Sequence, residues 1–178
     1  MKPELGIIEG FYGRPWTWDA RRETVSFLAP HGYRFYLYAP KSDPWLRRRW
    51  QEPHPPGDAA NLTALAAHCR ETGVRFGIGL TPYEIFNAFD DAARDALARK
   101  LAFFDDIGIE DLAILFDDMR GDVPGLVPEH ERKLRLVIEQ RHQLAGDVDV
   151  AAGNGEGILH RRVQRGEAIG VGIDARVG

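Results

Sequence analysis

The chain has 178 residues, 44% hydrophobic and 28% charged, which is enough apolar material for one domain with a core and excludes a disordered chain. With 23 Lys+Arg against 27 Asp+Glu the net charge is −4, so no basic field marks a nucleic-acid or anionic-membrane binder. A lone Cys69, beside Ala66 and Ala67 in a helical pattern, excludes a disulfide framework and cysteine-built metal centres and suits a buried small apolar residue. The Arg47-Arg48-Arg49 triplet sits among Trp45, Trp50 and prolines, and reads as a solvated loop face rather than a phosphate groove. The start, Met-Lys-Pro-Glu-Leu-Gly, has no extended apolar run, so neither a secretory signal nor a membrane helix is expected, and the sequence reads as cytoplasmic.

Short apolar runs alternate with longer amphipathic ones. Leu5 to Ile8 is the first strand candidate, followed by the loop Glu9 to Trp16. Thr17 caps a helix to about Ala29, stopped by Pro30 and Gly32. Phe35 to Ala39 is the second strand. The loop Pro40 to Gly57 holds five prolines and two tryptophans, and a loop of that length in a compact domain is either a binding element or disordered. Asp58 opens a helix with Leu62, Leu65, Ala66 and Cys69 at helical spacing, ended by Gly73. Val74 to Leu80 is the third strand. Asp90 caps a helix whose buried stripe is Leu97, Leu101 and Phe104, with Gly108 as terminator. The fourth strand, Leu112 to Phe116, ends in Asp117 and Asp118, and a last helix spans about Pro128 to Leu144.

Four strand-then-helix units imply a parallel sheet, since parallel neighbours need crossovers of this length. A doubly wound sheet and a (β/α)₈ barrel both satisfy that. Gly10 to Pro15 lacks the third glycine of a dinucleotide fingerprint, which favours the barrel. A whole barrel needs about 250 residues, so the first four units make an incomplete α/β TIM barrel, residues 1–145. Residues 146–178 hold eight glycines and no amphipathic period. This tail is expected to be non-native or disordered, with at most a short strand around Ala168 to Ile173.

In barrels the chemistry gathers at the C-terminal ends of strands. The post-strand loops bring Glu9, Gly10, Tyr12 and Arg14; Lys41, Asp43 and Trp45; Thr81, Tyr83 and Glu84; and Asp117, Asp118 and Arg120. Aromatic platforms beside paired acids suit a sugar-cleaving cleft, where rings stack on sugar faces and acids move protons at the glycosidic oxygen. Asp at a strand end is also a common turn former or helix cap, so that reading stands beside the catalytic one.

Three segments carry a resemblance: Gly6 to Trp16, Tyr36 to Asp43, and Leu115 to Met119, all in order at the ends of predicted strands. They resemble the catalytic domain of glycoside hydrolase family 84, the β-N-acetylglucosaminidases that include O-GlcNAcases and bacterial enzymes once called hyaluronidases. The resemblance covers residues 5 to about 140. It implies a (β/α)₈ barrel and a retaining mechanism in which the substrate's own 2-acetamido group attacks the anomeric carbon, with no cofactor and no metal. An enzyme with its own nucleophile needs two carboxyl groups about 5–5.5 Å apart across the sugar, whereas a substrate-assisted one does not.

By the same resemblance Asp117 would accept from the acetamide N–H and stabilise the oxazoline, and Asp118 would be the general acid and then the base. Close like charges push their pKa values apart, which suits one ionised and one protonated member. The Gly10 carbonyl and the Lys41 ammonium would contact sugar hydroxyls. Outside the motif Gly10 reads as a turn glycine needing positive φ, and Lys41 as a surface lysine. Tyr12, Trp16 and Trp45 are expected to pack the loops, and Glu9 to hold the loop that follows it by accepting backbone N–H bonds. The family's aromatic, Asn and Asp residues from later strands have no counterpart before the chain changes character.

Two functions therefore stand. The first is a β-N-acetylglucosaminidase acting on N-acetylglucosamine glycoconjugates. The second is an inactive barrel fragment, at most a weak sugar-binding or interaction module that self-associates through half-barrel edges. Mg²⁺ held by Asp117 and Asp118 is the weaker third reading, because no phosphate cradle accompanies the acids.

Overall fold

The computed structural model describes residues 4–85, 89–115, 148–153 and 156–162. Strands β1 (Leu5–Glu9), β2 (Tyr33–Tyr38), β3 (Arg75–Leu80) and β4 (Asp111–Leu115) pair in parallel in chain order. Helices α1 (Trp18–Leu28), α2 (Pro56–Thr72) and α3 (Asp91–Ile107) make the three crossovers. A doubly wound sheet reverses its strand order at a switch point; this order never reverses, which is how a barrel grows. The four units are half of a (β/α)₈ barrel.

The local punctuation explains the boundaries. Thr17 Oγ1 accepts from the Ala20 N–H at 3.1 Å and Asp90 Oδ1 from the Ala93 N–H at 2.8 Å, so both N-caps act as the sequence predicts. Gly73 and Gly108 end their helices at φ 74° and 78°, in the left-handed region that glycine reaches without cost. Helix α2 opens at Pro56, two residues before Asp58. The start moves because proline is tolerated at the first helical position, where its missing N–H is not needed.

Each strand is apolar on both faces, as parallel strands under helices must be. Tyr36, Tyr38, Phe76, Ile78, Leu80, Leu112 and Ile114 join Leu62, Leu65, Cys69, Leu97, Leu101 and Phe104 in the core beneath the helices. The other face holds Leu37, Ala39 and Ala113, with Gly77 and Gly79 between them. A Cβ on Gly77 would lie 2.7 Å from Leu37 Cδ1 and 2.8 Å from Asp111 Cβ, so only glycine lets the strands close at that point. At the N-terminal ends of the strands, Arg75 bonds Glu4 at 3.0 Å and Asp111 at 3.1 Å, tying β3 and β4 to the entry of β1.

The glycine-rich tail contains two strands, β5 (Val148–Gly153) and β6 (Glu156–Arg162), paired antiparallel. Strand β6 also pairs antiparallel with β4, from Asp111↔Arg162 to Leu115↔Ile158. The β4 edge, expected to be unpaired, is therefore covered, and the parallel rhythm stops there. Among the described residues the β1 edge stays open, with Leu5 54% and Ile8 53% exposed. The helix expected over 128–144 and the strand around 168–173 lie outside the described residues.

Candidate active site

The site is built from the loops that leave β1, β2 and β3 at their C-terminal ends. Strand β4 ends at Leu115, two positions before Asp117. Asp117 and Asp118 themselves lie outside the described residues, so of the four expected site residues the structure describes Gly10 and Lys41, which follow the neighbouring strands β1 and β2.

Gly10 follows Glu9 directly. Its φ is not positive, contrary to the turn reading, and among the described residues an added Cβ would meet Ile8 Cγ2 alone, at an ordinary 3.6 Å. Neither its φ nor the packing of the described residues demands glycine here. Close approach of a ligand to the backbone is a further physical reason for one.

Lys41 is half-buried, with its ammonium 6.0 Å from the centre of the Tyr12 ring. Tyr12 was expected to pack the loop, and instead it is 72% exposed on the rim. Packing falls to its neighbours, since the Phe11 and Trp16 rings meet tilted at 54° with centroids 5.1 Å apart. The turn carrying Lys41 is fixed from three sides. The Asp43 N–H donates to the Pro40 carbonyl at 3.0 Å. Asp43 Oδ1 accepts from the Trp45 and Leu46 N–H groups at 2.8 and 3.3 Å. Arg47 Nη1 donates to the Lys41 carbonyl at 3.0 Å. The arginine triplet thus divides: Arg47 turns inward, while the exposed Arg48 and Arg49 lie over the Tyr83 and Trp45 rings at 5.5 and 5.1 Å.

Beneath the loops runs a buried polar chain that the sequence reading did not assemble. The fully buried Glu9 carboxylate accepts from Arg21 Nε at 2.9 Å, Arg21 Nη2 at 2.7 Å and the Tyr36 hydroxyl at 2.6 Å. It does not face the cleft. Glu9 pairs in register with Tyr38 and points to the helix side of the sheet, where its oxygens take Arg21 and Tyr36 in place of the following loop's N–H groups. The Arg21 guanidinium lies beside the stacked Trp18 and Tyr38 rings, 4.5 and 4.9 Å from their centres. The Tyr38 hydroxyl then donates to Asp43 Oδ2 at 3.0 Å.

The electrostatics follow from burial. Desolvation pushes the Tyr36 and Tyr38 phenols well up, and the Glu9 and Asp43 carboxylates add to it, so both hydroxyls stay protonated donors. Burial alone would raise the Asp43 carboxyl. The nearby His54 ring, the Tyr38 hydroxyl and the Trp45 amide outweigh it and hold Asp43 below the usual range. His54 acts there through proximity, because its Nε2 is 3.8 Å from Asp43, beyond hydrogen-bond reach. Lys100 in α3, 3% exposed, donates to the Glu52 carbonyl, and desolvation lowers its ammonium to about 8. Desolvation likewise raises the Cys69 thiol to about 12, as an inert packed residue requires. Among the described residues no group of three or more His, Cys, Asp or Glu is placed to hold a metal ion.

The geometry has counterparts among known proteins. A family model for beta-N-acetylglucosaminidase matches residues 5–148. Protein O-GlcNAcase from Rattus norvegicus and from Mus musculus are each 34% identical over 114 residues, 64% of this chain and 12% of theirs. The chain thus spans about an eighth of the curated relatives' length. Among solved structures, CpGH84B superposes with a TM-score of 0.67 at 30% identity, covering 79% of this chain and 25% of that one. A mutant of the Thermobaculum terrenum O-GlcNAc hydrolase gives 0.67 at 25% identity, covering 79% and 32%. With the family match running from the first strand into β5, the chain belongs to the β-N-acetylglucosaminidases of glycoside hydrolase family 84.

Proposed function

We propose that this chain supplies the N-terminal half of the catalytic barrel of an enzyme that hydrolyses terminal β-linked N-acetylglucosamine from glycoconjugates, with retention and through an oxazoline. The observation that carries this reading is Gly10: a glycine required neither by φ nor by the packing of the described residues, following β1 as Lys41 follows the neighbouring β2. In this reading the Gly10 carbonyl and the Lys41 ammonium take sugar hydroxyls. Asp117 orients the acetamide N–H, and Asp118 protonates the leaving oxygen and then activates water. No cofactor enters, and neither nucleic acid nor a membrane surface is a partner. Among the described residues no helix is long and apolar enough to cross a membrane, and the reading places the protein in the cytoplasm.

Hydrolysis of 4-nitrophenyl N-acetyl-β-glucosaminide tests it. Turnover that Asp118→Ala lowers by roughly 10² or more, and that EDTA leaves intact, is expected. One further observation favours the second reading, a truncated fragment that at most binds sugar weakly or self-associates: the antiparallel β6 occupies the β4 edge that a parallel strand would extend. No turnover in the intact chain, with N-acetylglucosamine still bound, would select that reading.

A further inference from the structure

We propose that Asp43, held by Tyr38, and Arg47 are positioning residues that fix the turn presenting the Lys41 ammonium to the sugar; the proposal rests on the sugar-binding reading of Lys41 above. The turn is unusually well determined for a segment inside a proline-rich loop. Asp43 spends one carboxylate oxygen on the Trp45 and Leu46 amides and the other on the Tyr38 hydroxyl, so it joins the loop to strand β2. Tyr38 is 4% exposed and stacks on Trp18 with centroids 5.6 Å apart, so its hydroxyl is a fixed donor rather than a rotating surface one. Arg47 closes the turn from its far side by donating to the carbonyl of Lys41 itself.

A lysine side chain has four rotatable bonds and loses much freedom on ordering. Fixing its backbone at both ends removes part of that cost before sugar arrives, which is the physical content of preorganisation. These hydrogen bonds join the three residues to the turn and to one another, while the Lys41 ammonium lies 6.0 Å from the centre of the exposed Tyr12 ring. Asp43, Tyr38 and Arg47 therefore act on sugar only through Lys41.

The chain has four lysines (Lys2, Lys41, Lys100 and Lys133), so reductive ¹³C-dimethylation gives few resonances, and Lys41→Arg identifies the one of interest. N-acetylglucosamine is titrated against the labelled intact chain, and the shift of the Lys41 methyl signal reports binding. Tyr38→Phe removes one O–H and keeps the stacked ring; Arg47→Met removes the carbonyl clamp. Each is expected to raise the half-saturating sugar concentration about five-fold, the size of one lost hydrogen bond. Val25→Ala, a core truncation under α1, controls for general destabilisation and should leave that concentration unchanged. A Lys41 signal that moves at the same sugar concentration in wild type, Tyr38→Phe and Arg47→Met overturns the positioning role alone. A wild-type Lys41 signal that sugar does not move overturns the sugar reading of Lys41, and the proposal with it.

Discussion

Glu9 and Arg21 meet in a bidentate pair, Nε to Oε2 at 2.9 Å and Nη2 to Oε1 at 2.7 Å, with neither side chain more than 4% exposed. The pair joins the end of β1 to α1 and lies directly behind Gly10. Burying two charges costs several kcal/mol each, and only a fully satisfied geometry offsets it. Removing one partner strands the other. Arg21→Met is therefore expected to lose about 3–5 kcal/mol of unfolding free energy in urea, and Glu9→Leu/Arg21→Met to recover most of it. A loss in Arg21→Met below about 1 kcal/mol, the scale of an exposed pair, contradicts this assignment.

Gly10 gives the complementary case, in which stability and binding should separate. An alanine there keeps an ordinary φ and meets Ile8 at 3.6 Å, so the unfolding midpoint of Gly10→Ala should stay within about 0.5 kcal/mol of wild type. In the proposed reading the methyl group instead intrudes where the sugar approaches the backbone. Affinity for N-acetylglucosamine, read by the Lys41 methyl signal, should fall about ten-fold, the value of one hydrogen bond plus the clash. Equal affinity in the two proteins removes the argument that a ligand is the reason for this glycine.

The open β1 edge predicts association. Leu5 and Ile8 are half exposed, and Phe27 on α1 is 67% exposed beside a shallow groove floored by Ile7, Ala20 and Leu28. An unpaired strand edge flanked by apolar side chains is a template for another chain. Sedimentation velocity at tens of micromolar should show species heavier than the monomer, and Ile8→Lys/Phe27→Glu should shift the distribution to monomer. A wild-type chain that sediments as a monomer throughout removes self-association from the account.

How far these features could be read from the sequence depends on how local their causes are. The helix ends at Thr17, Gly73, Asp90 and Gly108 are set by one residue's capping chemistry or φ, and the strands by runs of β-branched and aromatic residues, so both were legible. The start of α2 was not, because Asp58 and Pro56 both signal a helix N-terminus and only packing chooses between them. Gly10 and Lys41 were legible as a motif. The chain Glu9–Arg21–Tyr38–Asp43 was not, since its contacts span 5 to 17 residues and no period links them. One signal was available: Glu9, Tyr36 and Tyr38 fall on the helix-facing side once the parallel register is known, and a buried carboxylate there demands a cation from α1. The β5–β6 hairpin was illegible because glycines at 153, 155 and 157 mask its alternation.

Lys100 yields a pH dependence whose sign can be worked through. Its ammonium is buried against the Glu52 carbonyl, and desolvation lowers it to about 8, although Asp43 and Glu52 pull the other way. In the unfolded chain the same group titrates near 10.4. Below pH 8 both states hold the proton, and the folded state bears the full cost of a buried charge. Between pH 8 and about 10.4 the unfolded chain still binds a proton that the folded chain has released, so this residue's contribution to stability rises with pH. Lys100→Met keeps the length of the side chain and removes the titration. The difference in urea unfolding free energy between wild type and Lys100→Met, taken at pH 7, 9 and 10.4, should move in favour of wild type across that window, while the tyrosines titrate alike in both proteins and cancel. A difference that stays flat from pH 7 to 10.4 means that Lys100 reaches solvent in the folded chain, and that the contact joining α3 to the Glu52 loop is not the buried one described.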